Sequence, residues 1–320
     1  MIRKLTRESI EVDLANINRM IDSANELGDF VGAYQFSKRK EDLENELANL
    51  NASHVTNAGV ALFFSGEPVL GSKGISTDFA GRALQHFQEI VTKSFATQTV
   101  GKLGERGKVP FDKEANLLVT GIAHGSFGFV LQEPTEQLEI FDTPLKEAVD
   151  FAVAAIVKSS SEDDDVFVEL TEELNHRLLL ALSHFFRELD NHNATVRLVD
   201  DHRDHKVDDT AIDRARLRIA GTTIEEEEEE PIEGTLIGFM PTQKRFEMIL
   251  QDEIISGSTT EEAATQFNNL VAESATPIGY KCLVQMEVRT IKPFNRERRN
   301  VYRLLSIEKV LDSSVSTDNR

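Results

Sequence analysis

Two stretches near the C-terminus, YKCLVQMEVRT (Tyr280–Thr290) and NVYRLLSIEKV (Asn300–Val310), decide the fold of the last third of the chain. Both have the composition of β-strands. They follow three shorter strand candidates, EGTLIGFMP, RFEMILQD and EIISGS, and one helix candidate, TEEAATQFNNLVAE. Five strands and one helix in about eighty residues predict a small β-barrel over 232–310, of the kind that includes oligonucleotide-binding folds.

The barrel segment is bounded by two stretches for which we expect no packed structure. Before it, six consecutive glutamates (Glu225–Glu230) are followed by Pro231. Like charges in a block repel, so the run predicts an extended acidic linker over 225–231. A docking motif for a basic partner is the alternative. After the barrel, residues 311–320 are predicted to be a disordered tail.

The N-terminus has the apolar spacing of paired helices. The first stripe is spaced 4, 3, 4 and 3 residues apart, as in a short coiled coil, and the second is spaced 7, 4 and 3. The stripes are Ile10, Leu14, Ile17, Ile21 and Ala24, then Phe36, Leu43, Leu47 and Leu50. The break at Gly28-Asp29 is short, so residues 1–51 are predicted to form an antiparallel helical hairpin. Neither helix is long enough to be stable alone, so the hairpin must pack on its own chain or on a partner.

Residues 52–224 mix strand and helix candidates without a strict alternation, which favours an α+β body over a parallel α/β fold. The buried-strand run AGVALFF is followed by a turn, and NLLVTGIAHGSFGFVLQEP is predicted to be one strand bent at its glycines. The fold class is therefore α+β, in three parts: helical hairpin, α+β body and small barrel.

Charge is distributed unevenly along the chain. The 320 residues carry a formal net charge of −20. Residues 232–310 contain ten acids and ten bases, and the tail contributes −1, so −19 lies in residues 1–231. Such a balance argues against binding of nucleic acid or anionic membrane by the whole surface, and it suggests separate modules.

Three features of the sequence predict the cellular compartment of the protein. The apolar runs are too short to cross a bilayer. The start of the chain, MIRKLTRESIEVD, lacks the apolar core of a signal peptide. Cys282 is the only cysteine, so there is no internal disulfide. Together they predict a cytoplasmic protein with no membrane partner.

The stretch FFSGEPVLGSKGI (Phe63–Ile75) has the glycine spacing of a phosphate-binding loop but lacks its chemistry. The lysine and hydroxyl are exchanged in Gly71-Ser72-Lys73, and Pro68 removes one backbone N–H from the cradle. A helix should also begin at the loop, whereas GISTD intervenes here. A hairpin turn explains the glycines better, and no cofactor is predicted.

IAHGSFGF is close to the nucleophile-elbow pattern G-x-S-x-G, but His124 replaces the first glycine. His124 is placed to activate Ser126 if the segment lines a pocket. A glycine-bent strand that lets a neighbour approach is the favoured interpretation. His124 and Ser126 are therefore weak catalytic candidates.

DDHRDHKVDD (Asp200–Asp209) supplies ligand types that suit zinc or manganese, in His202, Asp204 and His205. No second cluster completes a site, so a charged hairpin loop is favoured and these three stay weak metal candidates. His176 and His184 lie eight residues apart on one predicted helix, and His86 stands alone on another. Surface or partly packed histidines are expected there.

The segment RTIKPFNRERRNVYR (Arg289–Arg303) mixes bases with aromatic residues, which suits single-stranded nucleic acid on a small barrel. The candidate contacts for nucleic acid or a partner are Arg289, Lys292, Phe294, Arg296, Arg298, Arg299, Tyr302 and Arg303. An ordinary solvated hairpin, with its bases paired to the acidic run, is the favoured interpretation, because residues 232–310 are neutral overall and the protein is strongly acidic.

The sequence as a whole favours a non-enzymatic cytosolic binding protein. We expect it to dock a macromolecule through the hairpin, by a protein partner or self-association, and through the barrel. The first alternative is an enzyme or small-molecule sensor with a pocket near His124 and Ser126. The second is an acidic decoy of a nucleic-acid-binding partner.

Overall fold

The computed structural model describes residues 2–52, 55–101, 103, 107–123, 127–135, 141–201, 203–226 and 230–311. They form the predicted α+β fold, with an N-terminal helix pair, an antiparallel sheet and a closed C-terminal β-barrel. The chain divides into two compact units: Met1–Phe167 with Arg177–Leu217, and Val168–His176 with Arg218–Arg320. Within the described ranges, no helix combines the length and apolar character that a membrane span requires. The predicted tail lies almost wholly outside the described residues.

The first unit combines helices with a five-stranded sheet. The unit boundaries fall within α5 and α7 and at the start of α6. The helices are α1 (Arg3–Glu26), α2 (Phe30–Ala52), α3 (Thr77–Val100), α4 (Pro144–Ser160), α5 (Asp164–Glu173), α6 (His176–Asn191) and α7 (Asp209–Ala220). The strands are β1 (Gly59–Gly66), β2 (Val69–Leu70), β3 (Gly74–Ile75), β4 (Leu118–Ala123), β5 (Phe127–Gln132), β6 (Ala194–Val199) and β7 (Asp204–Val207). The sheet is antiparallel, in the order β4-β5-β1-β6-β7.

The central strand β1 is buried on both faces, which explains its unbroken apolar run. Phe63 packs on one face with Ile2 from the start of the chain. Phe64 packs edge-on against Phe79 of α3, with ring centroids 5.3 Å apart. Beyond β1 the chain turns into the short β2–β3 hairpin, and α3 begins only at Thr77. The stretch Phe63–Ile75, which has the glycine spacing of a phosphate-binding loop, therefore forms two turns and a short hairpin.

The helical hairpin turns at Gly28-Asp29, as predicted. Gly28 has φ 73°, and the N–H groups of Gly28 and Asp29 donate to the carbonyls of Asn25 and Ala24. This is the Schellman pattern that ends a helix. Asp29 then accepts a hydrogen bond at Oδ1 from Gly32 N at 2.9 Å, which caps the first turn of α2. Two adjacent residues thus end one helix and begin the next.

The two helices pack chiefly against each other along the predicted stripes. Ile10, Ala24 and Leu43 are buried, and the other stripe residues are half-buried, because a pair of helices covers only one side of each. The base of α1 is anchored on the sheet by Ile2 and Leu5. The base of the hairpin therefore packs on its own chain, and packing of the remaining surface on a partner stays a prediction.

The second unit is built around a ring of five strands. Its elements are β8 (Thr223–Glu226), β9 (Glu230–Met240), a 3₁₀ turn (Pro241–Gln243), β10 (Arg245–Leu250), β11 (Glu253–Thr259), α8 (Glu261–Ala272), β12 (Lys281–Lys292) and β13 (Arg299–Leu311). The ring runs β9-β10-β11-β13-β12 and back to β9, with β8 added beside β12. Its interior is filled by residues such as Phe246, Met248 and Met286. The predicted barrel is confirmed.

The ring closes through a parallel pairing of β11 with β13, and all its other pairings are antiparallel. Gly257 lies opposite Tyr302 at this closure. A Cβ added to Gly257 would overlap the carbonyl oxygen of Tyr302, so closure requires glycine at this position.

The acidic run predicted as a linker over 225–231 has strands at both its ends. Glu225 and Glu226 belong to β8, and Glu230 and Pro231 begin β9. Both strands pair with the same edge of β12, where Glu226 lies opposite Arg289 and Glu230 opposite Met286. Residues 227–229 lie outside the described residues. The ends of the run are parts of the barrel unit.

Candidate functional site

A group of exposed apolar side chains lies at the turn of the helical hairpin. Leu27, Phe30, Val31 and Tyr34, which we call the hairpin tip, are 81%, 80%, 70% and 72% exposed. Phe30, Val31 and Tyr34 share one face of the first turn of α2, since residues three and four apart are neighbours on a helix. The 24 residues of α1 place the tip about 36 Å along the helix from the anchored base.

The tip is surrounded by negative charge. Asp22, Glu26 and Asp29 are exposed beside it, and no lysine or arginine occurs between residues 20 and 34. The hairpin tip is thus an apolar patch with an acidic border. The sequence pattern indicates that the hairpin is a contact element but does not single out these four side chains, because their exposure depends on which side of each helix is covered.

Arg289, a predicted nucleic-acid or partner contact, is buried inside the second unit and only 7% exposed. Its guanidinium donates to the carbonyls of Glu172 at 2.6 Å and Leu174 at 2.7 Å. The last carbonyls of a helix lack partners within it, and a cation is favoured at that end. Arg289 therefore closes the C-terminal end of α5.

Three more residues of the predicted basic segment also have partners within the unit. Arg299 donates to the Val168 carbonyl at 3.0 Å and lies 3.1 Å from a Glu172 oxygen. Arg303 lies 4.0 Å from Glu287. Tyr302 packs against the barrel core. These side chains, like Arg289, are used within the fold.

The other four residues of the predicted segment lie at the connection between β12 and β13. Lys292, Arg296 and Arg298 are exposed, and Phe294 is half-buried. Arg298 forms an ion pair of 2.5 Å with Glu225 of β8. The structure thus separates the predicted segment into an inner set on the strands and an outer set at the end of β12 and in the loop that follows it.

The weak catalytic candidates His124 and Ser126 lie outside the described residues. The segment around them was predicted as one bent strand, and this was wrong: β4 and β5 are two antiparallel strands. Gly128 lies on β5 opposite Phe63, and a Cβ at Gly128 would overlap the Phe63 ring. The close approach of a neighbouring element, expected from the small residues, is present at this glycine.

Of the weak metal candidates, His202 lies outside the described residues and Asp204 serves another purpose. The Asp204 carboxylate accepts two hydrogen bonds from Arg197, at 2.7 and 2.6 Å, and lies 3.3 Å from the Lys4 ammonium. These bonds, chiefly those from Arg197, lower the pKa of Asp204 to about 2. Since Lys4 is in the first turn of α1, Asp204 helps to fix the base of the hairpin on the sheet.

His205 lines an open, polar cavity of about 240 Å³ in the first unit, together with Ser160, Asp208 and Arg214. Arg214 already donates to the Ser160 carbonyl at 2.6 Å, and Asp208 caps the start of α7 through Ala211 N. The cavity walls are thus held by local hydrogen bonds.

A cluster that the sequence did not predict joins α3 to α6. Ligand atoms of His86, Glu89 and His184 all lie within 4.8 Å of one another, and the two imidazole rings are 5.7 Å apart. The helices pack beside this cluster through Phe87 and Phe185, with ring centroids 6.5 Å apart. Only the spacing of His86 and Glu89, three apart on one helix face, was visible in the sequence.

The cluster is half-buried and incompletely hydrogen-bonded. Nδ1 of His86 is buried without a hydrogen-bond partner among the described residues. Burial lowers the pKa of His184, and the nearby Glu89 carboxylate opposes this effect. The neutral form of His184 is therefore favoured at neutral pH.

Comparison of the chain with protein-family models, with curated proteins and with solved structures finds no match.

Replacing Arg289 tests its role at the end of α5. Arg289→Met keeps the apolar stem but removes the donors to Glu172 and Leu174. We expect the free energy of unfolding to fall by about 2–4 kcal/mol, because buried carbonyls lose charged donors. The control Arg298→Met removes an exposed ion pair and should cost less than about 1 kcal/mol. Equal denaturant midpoints for the two variants would contradict the assignment.

The ion pairs of Asp204 with Arg197 and Lys4 predict that the free energy of unfolding depends on pH. The pKa of Asp204 is lowered from 3.8 to about 2 in the folded chain, so its stabilisation is present above about pH 4 and is lost as the pH falls to about 2. Asp204→Asn should lower the free energy of unfolding by about 1–2 kcal/mol at pH 7, and the difference from wild type should shrink between about pH 4 and 2. Urea denaturation across this range measures it, with Asp13→Asn on the exposed face of α1 as the control. A difference that is independent of pH argues against the anchor.

Proposed function

We propose that the protein is a non-enzymatic cytosolic binding protein that docks a macromolecular partner through its helical hairpin and its small barrel. The observation that carries this proposal is the hairpin tip. Four large apolar side chains are 70–81% exposed at one end of a hairpin whose other end is anchored on the sheet.

A contiguous apolar patch supports docking in a way that scattered apolar residues do not. Single exposed apolar side chains are normal on protein surfaces, whereas clustered ones mark interaction sites. Tyrosine is also enriched among the residues that dominate binding energy at interfaces, and aromatic rings supply large buried areas. Phe30 and Tyr34 fit this role on the first turn of α2.

The charge around the tip favours a particular partner chemistry. Asp22, Glu26 and Asp29 are complementary to a protein that presents an apolar cleft bordered by lysine or arginine. A second copy meeting tip to tip would bring like charges together, which disfavours that arrangement. The proposed partner is therefore a different protein with a basic rim around an apolar cleft.

A triple substitution of the tip tests the docking proposal. Leu27→Ser, Phe30→Ser and Tyr34→Ser together remove three of the four exposed side chains of the hairpin tip, including both aromatic rings, without touching the buried stripe. The matched control Val12→Ser, Leu180→Ser and Leu217→Ser removes three side chains that are 60%, 45% and 64% exposed elsewhere. Partners captured from source cells by the wild type and the control should be lost with the tip variant. The purified partner should bind the tip variant at least tenfold more weakly, by analogy with interface hot spots.

Light scattering and helicity measurements make this result interpretable. An unchanged circular dichroism spectrum shows that the tip variant still forms the hairpin. If the wild type is a dimer and the tip variant a monomer, the tip binds a second copy and the proposed partner class is wrong. Equal partner capture by all three proteins would refute docking through the tip.

Single-stranded nucleic acid on the barrel is a second candidate function. The observation that favours it is a five-stranded closed barrel with exposed Lys292, Arg296 and Arg298 beside Phe294 in its β12–β13 connection. In oligonucleotide-binding barrels the loop between the fourth and fifth strands contributes to the binding face. Arginine and aromatic side chains together suit phosphate contact and base stacking.

Titration of the full chain with fluorescent single-stranded oligonucleotides at low salt tests the second candidate. Lys292→Gln with Arg296→Gln should weaken binding and flatten its dependence on salt, since each phosphate contact releases counterions. Phe294→Leu should cost about 1–3 kcal/mol of binding free energy if a base stacks there. Lys281→Gln, at the other end of β12, is the control. Absence of saturable binding at low salt would leave the loop as ordinary surface.

A further inference from the structure

We propose that His86, Glu89 and His184 form a binding site for one transition-metal ion of the Zn²⁺ class, which joins α3 to α6. The ligands come from two helices, with His86 and Glu89 one turn apart on α3 and His184 across from them on α6. This site is separate from the hairpin tip and from the barrel loop.

The geometry is within reach of coordination. Zinc binds imidazole nitrogen and carboxylate oxygen at about 2.0–2.2 Å, so neighbouring ligand atoms in a tetrahedral site lie about 3.3 Å apart. In the cluster all three ligand atoms lie within 4.8 Å of one another. Rotations of these half-buried side chains would need to shorten the separations by no more than about 1.5 Å to reach that spacing.

The donor set selects the class of metal. Two imidazoles and one carboxylate suit Zn²⁺, Co²⁺ and Ni²⁺, whereas Mg²⁺ and Ca²⁺ prefer oxygen ligands alone. Three protein ligands of this type leave a fourth position for water, as in open zinc sites. The buried His86 Nδ1, which lacks a hydrogen-bond partner among the described residues, is consistent with a site whose polar groups are not satisfied by protein alone.

The carboxylate of Glu89 is only loosely held by its neighbours. Its oxygens lie 3.5 Å from Gln85 Nε2 and 3.5 Å from Lys93 Nζ, at the outer limit of hydrogen bonding. Glu89 can therefore turn toward a cation without losing strong bonds. The Lys93 ammonium, which is 13% exposed, opposes metal binding, and the Arg187 guanidinium adds a weaker positive charge near His184.

Binding at this position would clamp two helices that already pack through Phe87 and Phe185. An ion that binds the folded chain and not the unfolded chain stabilises the fold in proportion to its occupancy. The expected consequence is a first unit whose melting temperature rises with Zn²⁺ concentration.

Calorimetric titration of the chelator-treated full chain with Zn²⁺ at pH 7.5, together with Co²⁺ absorption spectra, tests the site. We expect one ion per chain, visible d–d bands typical of a low-coordinate Co²⁺ site, and a rise in melting temperature. Glu89→Gln and His184→Gln should each weaken Zn²⁺ binding at least tenfold, because each removes a ligand. Lys93→Gln should tighten it, since a competing cation is removed.

Two matched controls separate this site from other histidines. His176→Gln changes an exposed histidine on the same helix, and His205→Gln changes the residue next to Asp204. Both should bind Zn²⁺ as the wild type does. Binding that is absent in the wild type, or that survives Glu89→Gln and His184→Gln unchanged, or that is lost in His205→Gln, would overturn the proposal. Glu89→Gln is nearly isosteric and half-exposed, so its result does not depend on loss of folding.

Discussion

The closure of the barrel between β11 and β13 is the constraint on which the C-terminal unit depends. An open sheet of these strands would expose unpaired edges, whereas a closed ring satisfies their backbone groups. Closure demands Gly257 at the contact and a long β12–β13 hairpin that reaches both β9 and β11. In that hairpin Ile291 lies directly opposite Arg299. Because Arg289 and Ile291 are two positions apart on β12, the side chains of Arg289 and Arg299 lie on the same face of the sheet. That face meets residues 168–176, whose carbonyls both arginines bind. The positions of the basic residues thus follow from the barrel.

The first unit uses charge at the base of the hairpin and leaves apolar surface at its tip. Asp204 binds Arg197 and Lys4, and the Arg197 guanidinium also lies 5.3 Å from the centre of the Phe63 ring. These contacts and the packing of Ile2 fix one end of α1. Along the rest of the hairpin each helix is covered on one side only, so the seam is half-buried and the outer side chains face solvent. The anchored base and the exposed tip thus lie at opposite ends of the hairpin.

Charged and polar residues in this chain were poor guides to function when read as local motifs. Asp204 and Arg289 stood in suggestive stretches, yet each satisfies a structural need within its own unit. His86 and His184 were expected to be ordinary surface or partly packed histidines, yet the fold brings them together with Glu89. The reason is the same in both cases: a motif describes neighbours along the chain, whereas coordination and capping depend on neighbours in space.

The sequence by itself determined the α+β class, the helical hairpin with its turn at Gly28-Asp29, and the small barrel, because each depends on local periodicity and turn chemistry.

Tertiary structure alone decided four other features. The ends of the acidic run became strands because β12 offers an unpaired edge beside β9. The stretch Leu118–Gln132 became two strands rather than one because β4 folds back and pairs antiparallel with β5, which in turn pairs with β1. The side chains of the hairpin tip are exposed because the sheet covers only the other end of α1. His86 and His184, separated by 98 positions, came together because α3 and α6 pack through their adjacent phenylalanines. Each depends on which elements pack together, and a single sequence carries no direct signal for contacts between distant segments.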